Sequence, residues 1–464
     1  MPCGALKLNP EYSEKIKSMY INNYKNLATS ELREVVLEMI EAGLRRSEPH
    51  NMIKDAVQYN HDFNSVIVQH SSHDMLSGRI FVIGGGKAVG KMAEELERII
   101  GVEHITAGVI NCKTGGYNLK KIKLNEASHP LPDKRGVAGT NEILKLKDDY
   151  QIGEKDLVII LLSGGGSSLI TAPVEGVTLD DKQKITRVLL DSGADISDVN
   201  IVRKHLSKVK GGQLGAYFSP AKVATLIISD VARNNLASVA SGPAHPDDST
   251  FEQSYEILKK YNLWDSAPTG VKNYIERGVR GQEIETPKTL ENCSNYLIGS
   301  TAVILEAAAL SARESGFNPI IISDEVSGNS VEVARDIAKM VIDEKYASYN
   351  VLLFGGETSY KANGKKSVGR NQQFVAQLIL ELKNYPGEWV TASFDSDGID
   401  YLSKTAGAIA DNNTLVELNK MGVNLSEVIS NNDTEKILEK LKNALILTGD
   451  TKTNVGDVMI FLRK

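Results

Sequence analysis

The chain has 464 residues, a net charge of −6 and a pI near 5.9, so it is long enough for two or three domains and offers no general attraction to nucleic acid. Its cysteines, Cys3, Cys112 and Cys293, lie far apart without metal-type spacing, which argues against a disulfide framework or a zinc site and favours a reducing cytoplasm. Residues 1–7 hold no apolar signal segment, and no stretch reaches the roughly 18 apolar residues of a membrane span. We therefore expect neither secretion nor membrane insertion.

In the first half of the chain, short apolar runs alternate with amphipathic helical patterns. A helical pattern begins at Ser30, has apolar residues three and four positions apart, and ends before Pro49. The strand candidates that follow are residues 80–83, 107–110, 157–162 and 223–229. Such alternation is typical of βαβ units and predicts a parallel sheet with helices on both faces.

The second half repeats this alternation after a predicted linker at residues 281–287. Its strand candidates are residues 296–298, 319–322, 351–354, 390–394, 444–447 and 458–462. The sequence therefore predicts two α/β domains, at residues 1–287 and 288–464. Ligands of open α/β sheets bind beyond the carboxyl ends of the strands, where both halves place glycine-rich or polar segments. We expect one active site in a cleft between the domains.

The apolar run at residues 157–162 stops in a turn of small residues. These are Ser163, Gly164, Gly165, Gly166, Ser167 and Ser168. Glycines let a backbone approach a ligand closely, and the N–H groups of a helix start attract phosphate. The turn is thus predicted to bind nucleotide phosphates, with a plain strand-to-helix turn as the alternative.

A second glycine-rich turn follows residues 80–83 and carries Lys87. Met92 stands where a P-loop needs a hydroxyl for Mg²⁺, and Val89 replaces the third glycine of a dinucleotide fingerprint. Neither motif is complete. Lys87 remains a candidate to bind a carboxylate or a phosphate, and a solvated surface lysine is the alternative.

A basic segment at residues 203–212 stands out in an acidic chain. Its basic side chains, among them Lys204 and Lys210, could neutralise a polyphosphate, and the segment ends in paired glycines that begin at Gly211; the alternative is a solvated helix face, which most charge runs are. His205 fits a structural role as well as a chemical one. Asp230 ends a predicted strand, where a carboxylate could hold Mg²⁺ or cap a helix.

The second half contributes its own polar segments. Gly356 and Glu357 follow a predicted strand, and Arg370 offers a planar fork for a carboxylate or a phosphoryl group. Asp397 or Asp400 could orient a metal or accept a hydroxyl proton. Anion-binding turns, cations and carboxylates together indicate phosphoryl transfer.

At these positions the chain resembles the type II glycerate kinase family, whose members join a glycerate kinase N-terminal domain to a MOFRL C-terminal domain. The resemblance extends from Leu32 to the end of the chain. The motifs that carry it are Gly86-Lys87-Ala88, His129-Pro130-Leu131-Pro132-Asp133, Ser163-Gly164-Gly165-Gly166-Ser167-Ser168, Arg203-Lys204-His205-Leu206-Ser207, Lys210-Gly211-Gly212, Ser229-Asp230-Val231, Ser241-Gly242-Pro243, Gly355-Gly356-Glu357-Thr358, Gly369-Arg370-Asn371-Gln372, Asp397-Gly398-Ile399-Asp400 and Thr453-Asn454-Val455-Gly456-Asp457.

The resemblance implies an ATP-dependent kinase that phosphorylates D-glycerate, mostly to 2-phosphoglycerate, with Mg²⁺ or another divalent cation. It implies a Rossmann-like N-terminal domain for the nucleotide, and contacts of Lys87 and Arg370 with glycerate and the transferred phosphoryl group. We assign Ser163 to the substrate as well, and Asp397 to orientation of the hydroxyl. The expected nucleotide-binding residues are Ser163, Gly164, Gly165, Gly166, Ser167, Ser168, Lys204, Lys210, Gly211, Asp230, Gly356 and Glu357, and the expected metal ligands are Asp230 and Asp397.

The chain departs from the family pattern in four places. Residues 233–235, Arg-Asn-Asn, replace a usual Gly-Asp-Asp and put metal binding there in doubt. Val368, Gln373 and Tyr401 replace a usual glycine, glutamate and glycine, which could alter the choice of acceptor.

Two other functions stay open from sequence. One is an NAD(P)H-dependent hydroxypyruvate reductase, a name that some relatives have carried, for which Glu103 lies at a tolerable distance to contact a ribose. The other is a non-catalytic protein that binds a sugar acid. The expected partners are small molecules, with neither nucleic acid nor membrane, and a homodimer is conceivable.

Overall fold

The computed structural model describes residues 19–75, 77–229, 236–360, 369–400 and 404–464. Its chain divides into two compact units. The first, here called the parallel-sheet unit, consists of Pro49–Ser300 and Lys452–Val455. The second, the mixed-sheet unit, consists of the described residues up to Glu48, of Thr301–Thr451 and of Gly456–Lys464. Within the described ranges, no helix has the length and apolar character to cross a membrane.

The chain begins in the mixed-sheet unit with helices α1 (Tyr24–Leu27) and α2 (Glu31–Arg46). Ser30 caps α2 by accepting a hydrogen bond from the Arg33 N–H at 3.3 Å, as the predicted helix start requires. A Cβ on Gly43 would lie 2.7 Å from Ile304, so α2 packs closely on the helix that carries Ile304. This contact groups the N-terminal helix with the second half of the chain.

The parallel-sheet unit opens with α3 (Pro49–Ala56) and a small antiparallel sheet of β1 (Val57–Asn60), β2 (Ser65–Val68) and β3 (Ser71–Asp74). Its main sheet has six strands, all parallel, in the order β6-β5-β4-β7-β8-β9. They are β4 (Ile80–Gly85), β5 (Ile105–Cys112), β6 (Ile122–Glu126), β7 (Leu157–Leu162), β8 (Lys222–Ile228) and β9 (Cys293–Gly299). This is the strand order of a Rossmann fold, which confirms the predicted Rossmann-like parallel sheet.

Helices connect and cover these strands. They are α4 (Val89–Ile100), α5 (Lys134–Tyr150), α6 (Gly166–Leu169), α7 (Leu179–Asp191), α8 (Ile196–His205), α9 (Gln213–Tyr217), α10 (Phe251–Lys260) and α11 (Thr269–Val279), with a 3₁₀ turn at Val239–Ser241. All six residues of β7 are buried, as its continuous apolar sequence predicts. Helices α7, α8, α10 and α11 also share a core of their own, which includes Ile185, Val202, Leu258 and Ile275.

The mixed-sheet unit holds a second six-stranded sheet, in the order β10-β11-β15-β12-β13-β14. Only the β10–β11 pair is parallel; the other four pairs are antiparallel. Its elements are α12 (Thr301–Glu314), β10 (Pro319–Asn329), α13 (Ser330–Ile342), β11 (Val351–Ser359), α14 (Arg370–Glu381), β12 (Trp389–Asp395), β13 (Gly407–Asp411), α15 (Asn412–Lys420), α16 (Leu425–Ser430), α17 (Thr434–Leu441), β14 (Leu445–Ile446) and β15 (Asp457–Arg463).

These units differ from the division at residue 287 that the sequence predicts. The strand candidate at 296–298 was grouped with the second series, but β9 pairs in parallel with β8 and completes the first sheet. The linker at 281–287 therefore lies within the parallel-sheet unit. Residues 19–48 belong instead to the mixed-sheet unit, because α2 packs on α12.

Candidate active site

Two glycine-rich turns meet where the strand order of the parallel sheet reverses. The first follows β4 and the second follows β7, and β4 and β7 are neighbours. The Lys87 N–H donates to the carbonyl oxygen of Gly164 at 2.8 Å, and the Ala88 N–H donates to Ser163 Oγ at 3.0 Å. In open α/β sheets this switch point is where ligands bind.

The close approach of the two turns explains one glycine. A Cβ on Gly86 would lie 2.1 Å from Ser163 Oγ and 2.8 Å from the Ser163 N atom. Ser163 is itself fully buried, and its hydroxyl accepts the Ala88 N–H. Ser163 thus joins the two turns, and its predicted contact with glycerate stays a prediction.

Lys87 is half-buried and lies beside Gly165 and His129. A Cβ on Gly165 would lie 3.3 Å from Lys87 Cγ and 2.8 Å from His129 Cδ2. Burial, followed by the positive charges of Lys87 and Lys113, lowers the pKa of His129 to about 4. The His129 imidazole is therefore neutral near pH 7, and Lys87 and Lys113 supply the positive charge around it.

The turn predicted to bind phosphate leads into α6, which is a single helical turn. The N–H of Gly166 donates to the Ser163 carbonyl at 3.1 Å, and the N–H of Ser168 donates to the Gly165 carbonyl at 3.0 Å. Ser168 Oγ donates to the Pro130 carbonyl at 2.6 Å. These two N–H groups and this hydroxyl are therefore already engaged by the turn itself and by Pro130.

The basic side chains of residues 203–210 contact two different parts of the parallel-sheet unit. Arg203 donates to Ser167 Oγ, and Lys210 Nζ donates to the Ser167 carbonyl at 2.8 Å. Lys204 instead forms a buried ion pair with Asp247 at 3.0 Å, and a Cβ on Gly211 would lie 3.0 Å from that carboxylate. Of the predicted nucleotide-binding residues in this segment, the structure brings only Lys210 to the Ser167 turn.

His205 has a structural environment. Its Nε2 lies 2.7 Å from Glu285 Oε1, and its Nδ1 lies 2.9 Å from the Ile201 carbonyl oxygen. Hydrogen bonds from His205 and from two backbone N–H groups outweigh burial and lower the pKa of Glu285 to about 2. Both ring nitrogens are thus engaged with the protein.

In the mixed-sheet unit, the pairing of β15 with β11 and β12 brings a second group of charged residues together. Asp457 begins the central strand β15 and pairs with Gly356 on one side and with Asp395 on the other. Arg370, at the start of α14, bridges the two carboxylates with contacts of 2.7 Å to each. The third guanidinium nitrogen, Nη1, lies 3.9 Å from Glu357 Oε1. Three predicted site residues, Gly356, Glu357 and Arg370, therefore lie close together.

Asp395, Asp397 and Asp400 lie near the Arg370 guanidinium in different environments. Burial first, and then the negative charges of Asp397 and Asp457, raise the pKa of Asp395 well above its usual value. Burial and Asp457 raise the pKa of Asp400 to about 7. Asp397 is half-buried; its N–H donates to Asp395 Oδ1 at 3.0 Å, and its carboxylate accepts the Ile399 N–H at 2.8 Å. Asp397 thus stands next to the Arg370 cluster.

The described residues supply no complete metal cage, since no three His, Cys, Asp or Glu side chains among them are placed to hold an ion together. Mg²⁺ in phosphate-transfer sites commonly takes one or two carboxylates and completes its shell with substrate oxygens and water. The half-buried carboxylate of Asp397 fits that smaller requirement. Asp230, the other predicted ligand, lies outside the described residues, as do residues 233–235, Val368 and Tyr401.

Known proteins match nearly the whole chain. Residues 35–276 match a domain of unknown function, DUF4147, and residues 350–457 match the MOFRL family. A glycerate 2-kinase of Pyrococcus horikoshii is 37% identical over 93% of this chain and 97% of its own length. The chain belongs to the glycerate kinase family.

Further comparisons agree with this membership and confirm the resemblance found in the sequence. A crystal structure of a glycerate kinase from Thermotoga maritima has a TM-score of 0.81 and 34% identity, and the match covers 93% of this chain and 99% of that one. A relative from Agrobacterium vitis, 35% identical over 83% of this chain and 99% of its own length, carries a provisional hydroxypyruvate reductase name.

In this member of the glycerate kinase family, four residues that lie near the candidate site residues received no role from the sequence, although two of them, His129 and Asp457, stand in motifs shared with the family. They are His129, Lys182, Asp395 and Asp457. Asp395 and Asp457 had a usable signal, because Asp395 directly follows the predicted strand 390–394, and Asp457 ends a family motif directly before the predicted strand 458–462. Lys182 had none, since it falls within an ordinary charged helix. Gln373, one of the departures, is buried and accepts a hydrogen bond from Thr434 at 3.0 Å, so it packs inside the unit.

Proposed function

We propose that this protein is a kinase that transfers the γ-phosphoryl group of ATP to the 2-hydroxyl of D-glycerate. The observation that carries the proposal is the 37% identity with a glycerate 2-kinase over almost the full length of both chains. The geometry supports it, because a cationic turn lies at the switch point of a Rossmann-type sheet, where such sheets bind nucleotides and other anions. Small-molecule substrates and a cytoplasmic location follow from the same proposal.

Lys87 is proposed to bind the glycerate carboxylate and to stabilise charge on the moving phosphoryl group. Its backbone is fixed by the bond to Gly164, and its side chain lies beside a histidine that stays neutral. The lysine thus supplies a localised positive charge on a rigid turn. Phosphoryl transfer depends chiefly on such positioning and charge stabilisation.

Arg370 is proposed to present a fixed guanidinium to the reacting groups. Two carboxylates hold it by 2.7 Å contacts, so it needs little reordering when an anion binds. Asp397 is proposed to orient the attacking hydroxyl. Mg²⁺, or another divalent cation, would be held by Asp397 together with substrate oxygens, and it would neutralise charge that develops on the phosphates.

The direct test incubates purified protein with D-glycerate and MgATP and measures ADP. The product is then offered to enolase, which consumes 2-phosphoglycerate directly and 3-phosphoglycerate only after addition of a mutase. Glycerate-dependent ADP formation with direct enolase turnover is expected. ADP formation at the same rate with and without glycerate would contradict the proposal.

The alternative activity is reduction of hydroxypyruvate, which the name of the Agrobacterium vitis relative favours. In the structure α4 begins at Val89, where a dinucleotide fingerprint has its third glycine for close packing of helix and strand. We therefore expect no nicotinamide turnover. A parallel assay with hydroxypyruvate and NADH or NADPH measures absorbance at the reduced nicotinamide band, and sustained oxidation would favour the reductase.

A further inference from the structure

Three basic side chains cluster near Ser167 in the parallel-sheet unit without any acidic partner among the described residues. Lys210 and Arg203 both donate to Ser167. Lys182 interacts electrostatically with Arg203 and with Lys210. Burial of basic side chains without counter-charges disfavours their protonated forms, so a bound anion, which the chain itself does not supply, would stabilise the charged state of this cluster.

A cavity of about 370 Å³ opens onto this cluster. Lys182, Arg203 and Ser167 line its polar part, and Leu131 and Leu190 line its apolar part. Both leucines are more than half exposed. The cavity therefore combines a cationic region with apolar side chains that an organic group could cover.

Two side chains that line this cavity each have a buried polar atom without a hydrogen bond. The atoms are Lys182 Nζ and Thr171 Oγ1, and neither finds a partner among the described residues. Lys182 as a whole is only 4% exposed. A buried lysine nitrogen that lacks every hydrogen bond is rare in folded proteins, and a ligand oxygen would satisfy it.

The helix that carries Lys182 holds it in this position. Thr178 and Asp181 form a reciprocal capping box that fixes the start of α7. Lys182 then lies on the same face as Ile185 and Leu189, which are both buried in the helical core. Its side chain is thus directed inward by the same periodicity that packs the helix.

We infer that this cavity binds the phosphate groups of an organic polyphosphate, with Lys182 and Arg203 receiving their charge. The inference rests on the proposed function in one respect, since the ligand would then be the phosphate-donor nucleotide. Ser167 ties the site to the turn at the switch point, and the apolar side chains cover the organic part of the ligand.

The protonation state of Lys182 provides a measurable test of this site. Burial, and then the positive charge of Arg203, lower the pKa of Lys182 to about 7. The other charged groups around it are Lys210, and Arg187 and Asp191 from its own helix. Lys182 is therefore largely neutral at pH 8 in the empty cavity, and a bound anion would favour its protonated form.

The experiment measures ATP binding by calorimetry at pH 8, without glycerate, in buffers of different ionisation enthalpy. Wild-type protein is expected to take up roughly one proton per bound nucleotide, because the phosphates return the pKa of Lys182 above 8. Lys182→Met should weaken binding at least tenfold and abolish this uptake. The matched control is Lys184→Met, an exposed lysine of the same helix, which should behave as wild type.

Thermal unfolding separates binding from a structural role. Lys182→Met removes a buried, unpartnered ammonium, so its Tm should equal or exceed that of the wild type. Unchanged ATP affinity in Lys182→Met would overturn the inference. So would an absence of proton uptake by the wild type, a result that needs no variant to fold.

The site and the proposed function can fail separately. Lys182-dependent binding of ATP without glycerate phosphorylation would refute the kinase and keep the site. Normal glycerate phosphorylation by Lys182→Met, with an unchanged KM for ATP, would keep the kinase and refute the site. Inorganic pyrophosphate serves as a second probe, and it should raise the Tm of the wild type more than that of Lys182→Met.

Discussion

Among single residues, Lys87 is half-buried on a turn whose backbone is fixed by the bond to Gly164, which favours a binding role over that of a solvated surface lysine. We expect Lys87→Ala to lower kcat/KM for glycerate about a hundredfold, or about 3 kcal/mol of transition-state stabilisation, because the variant removes the cation that is proposed to bind the acceptor. Steady-state kinetics with both substrates varied would measure this. Lys91→Ala, on α4 itself, is the control and should retain normal turnover; equal activities of the two variants would refute the role of Lys87.

Arg370 also stabilises the mixed-sheet unit through its two ion pairs. Asp395 and Asp457 are 5% and 0% exposed, and removal of Arg370 leaves both near each other without their cation. Arg370→Ala should therefore lower the free energy of unfolding by about 3 kcal/mol, in addition to its effect on activity. Urea unfolding measures the loss, and Arg335→Ala, which removes an exposed partner of Glu381, should cost less than about 1 kcal/mol. Lost activity at unchanged stability would contradict this account of the cluster.

At the scale of elements, continuous apolar strands were predictable and irregular ones were not. β7 is found at the predicted residues 157–162, because burial on both faces imposes an unbroken apolar run. β6 was missed, since its sequence Ile-Lys-Leu-Asn-Glu is polar and partly exposed at the sheet edge. The paired turns at Lys87 and Ser163 were predictable from their glycines. The cavity lined by Lys182 and Arg203 was not predictable, because it depends on how α7 and α8 lie next to the turn at Ser167.

The contact between the two turns leads to a prediction at Gly86. An added methyl group would meet both the side chain and the backbone of Ser163, so Gly86→Ala must push the turns apart. We expect a loss of stability of about 2 kcal/mol and a higher KM for ATP, measured by thermal unfolding and steady-state kinetics. Gly153→Ala is the control, because its Cβ would find its nearest neighbour only at 3.9 Å. A fully active and stable Gly86→Ala would show that the turns are not held at this distance.

The start of α14 should make stability depend on pH through Asp400. Its carboxylate accepts the N–H groups of Asn371 and Gln372, but burial dominates and raises its pKa from 3.8 to about 7. Between these values the folded state binds a proton that the unfolded state does not. This contribution to stability is complete below pH 3.8 and is lost as the pH rises through 7.

The check compares the wild type with Asp400→Asn, which cannot titrate. Between pH 5.5 and pH 8 the wild type should lose about 2 kcal/mol of unfolding free energy relative to the variant. Urea titrations across this range measure the difference. A constant difference at all pH values would mean that Asp400 is already charged at pH 5.5.

At the scale of the whole molecule, the mixed-sheet unit is discontinuous in sequence, and its first segment is part of its core. Arg33 is fully buried and donates to Asp411 at 2.7 Å, to Thr414 Oγ1 at 2.9 Å and to the Asn443 carbonyl at 2.6 Å. Val36, Met39 and Ile40 of α2 are also fully buried. The sequence pattern identified this helix but not its location, because an amphipathic face does not specify which apolar surface it covers.

A fragment of residues 301–464 should therefore fail to fold by itself, although it contains every strand of its sheet. Without α2 it exposes the apolar surface that contacts Gly43 and leaves Asp411 without Arg33. A synthetic peptide of residues 19–48 should bind the fragment and restore a single cooperative unfolding transition, followed by circular dichroism. The same peptide with Arg33→Ala and Val36→Asp should not, since it lacks both the ion pair and the apolar contact. Cooperative unfolding of the fragment without any peptide would show that α2 only covers a unit that is already complete.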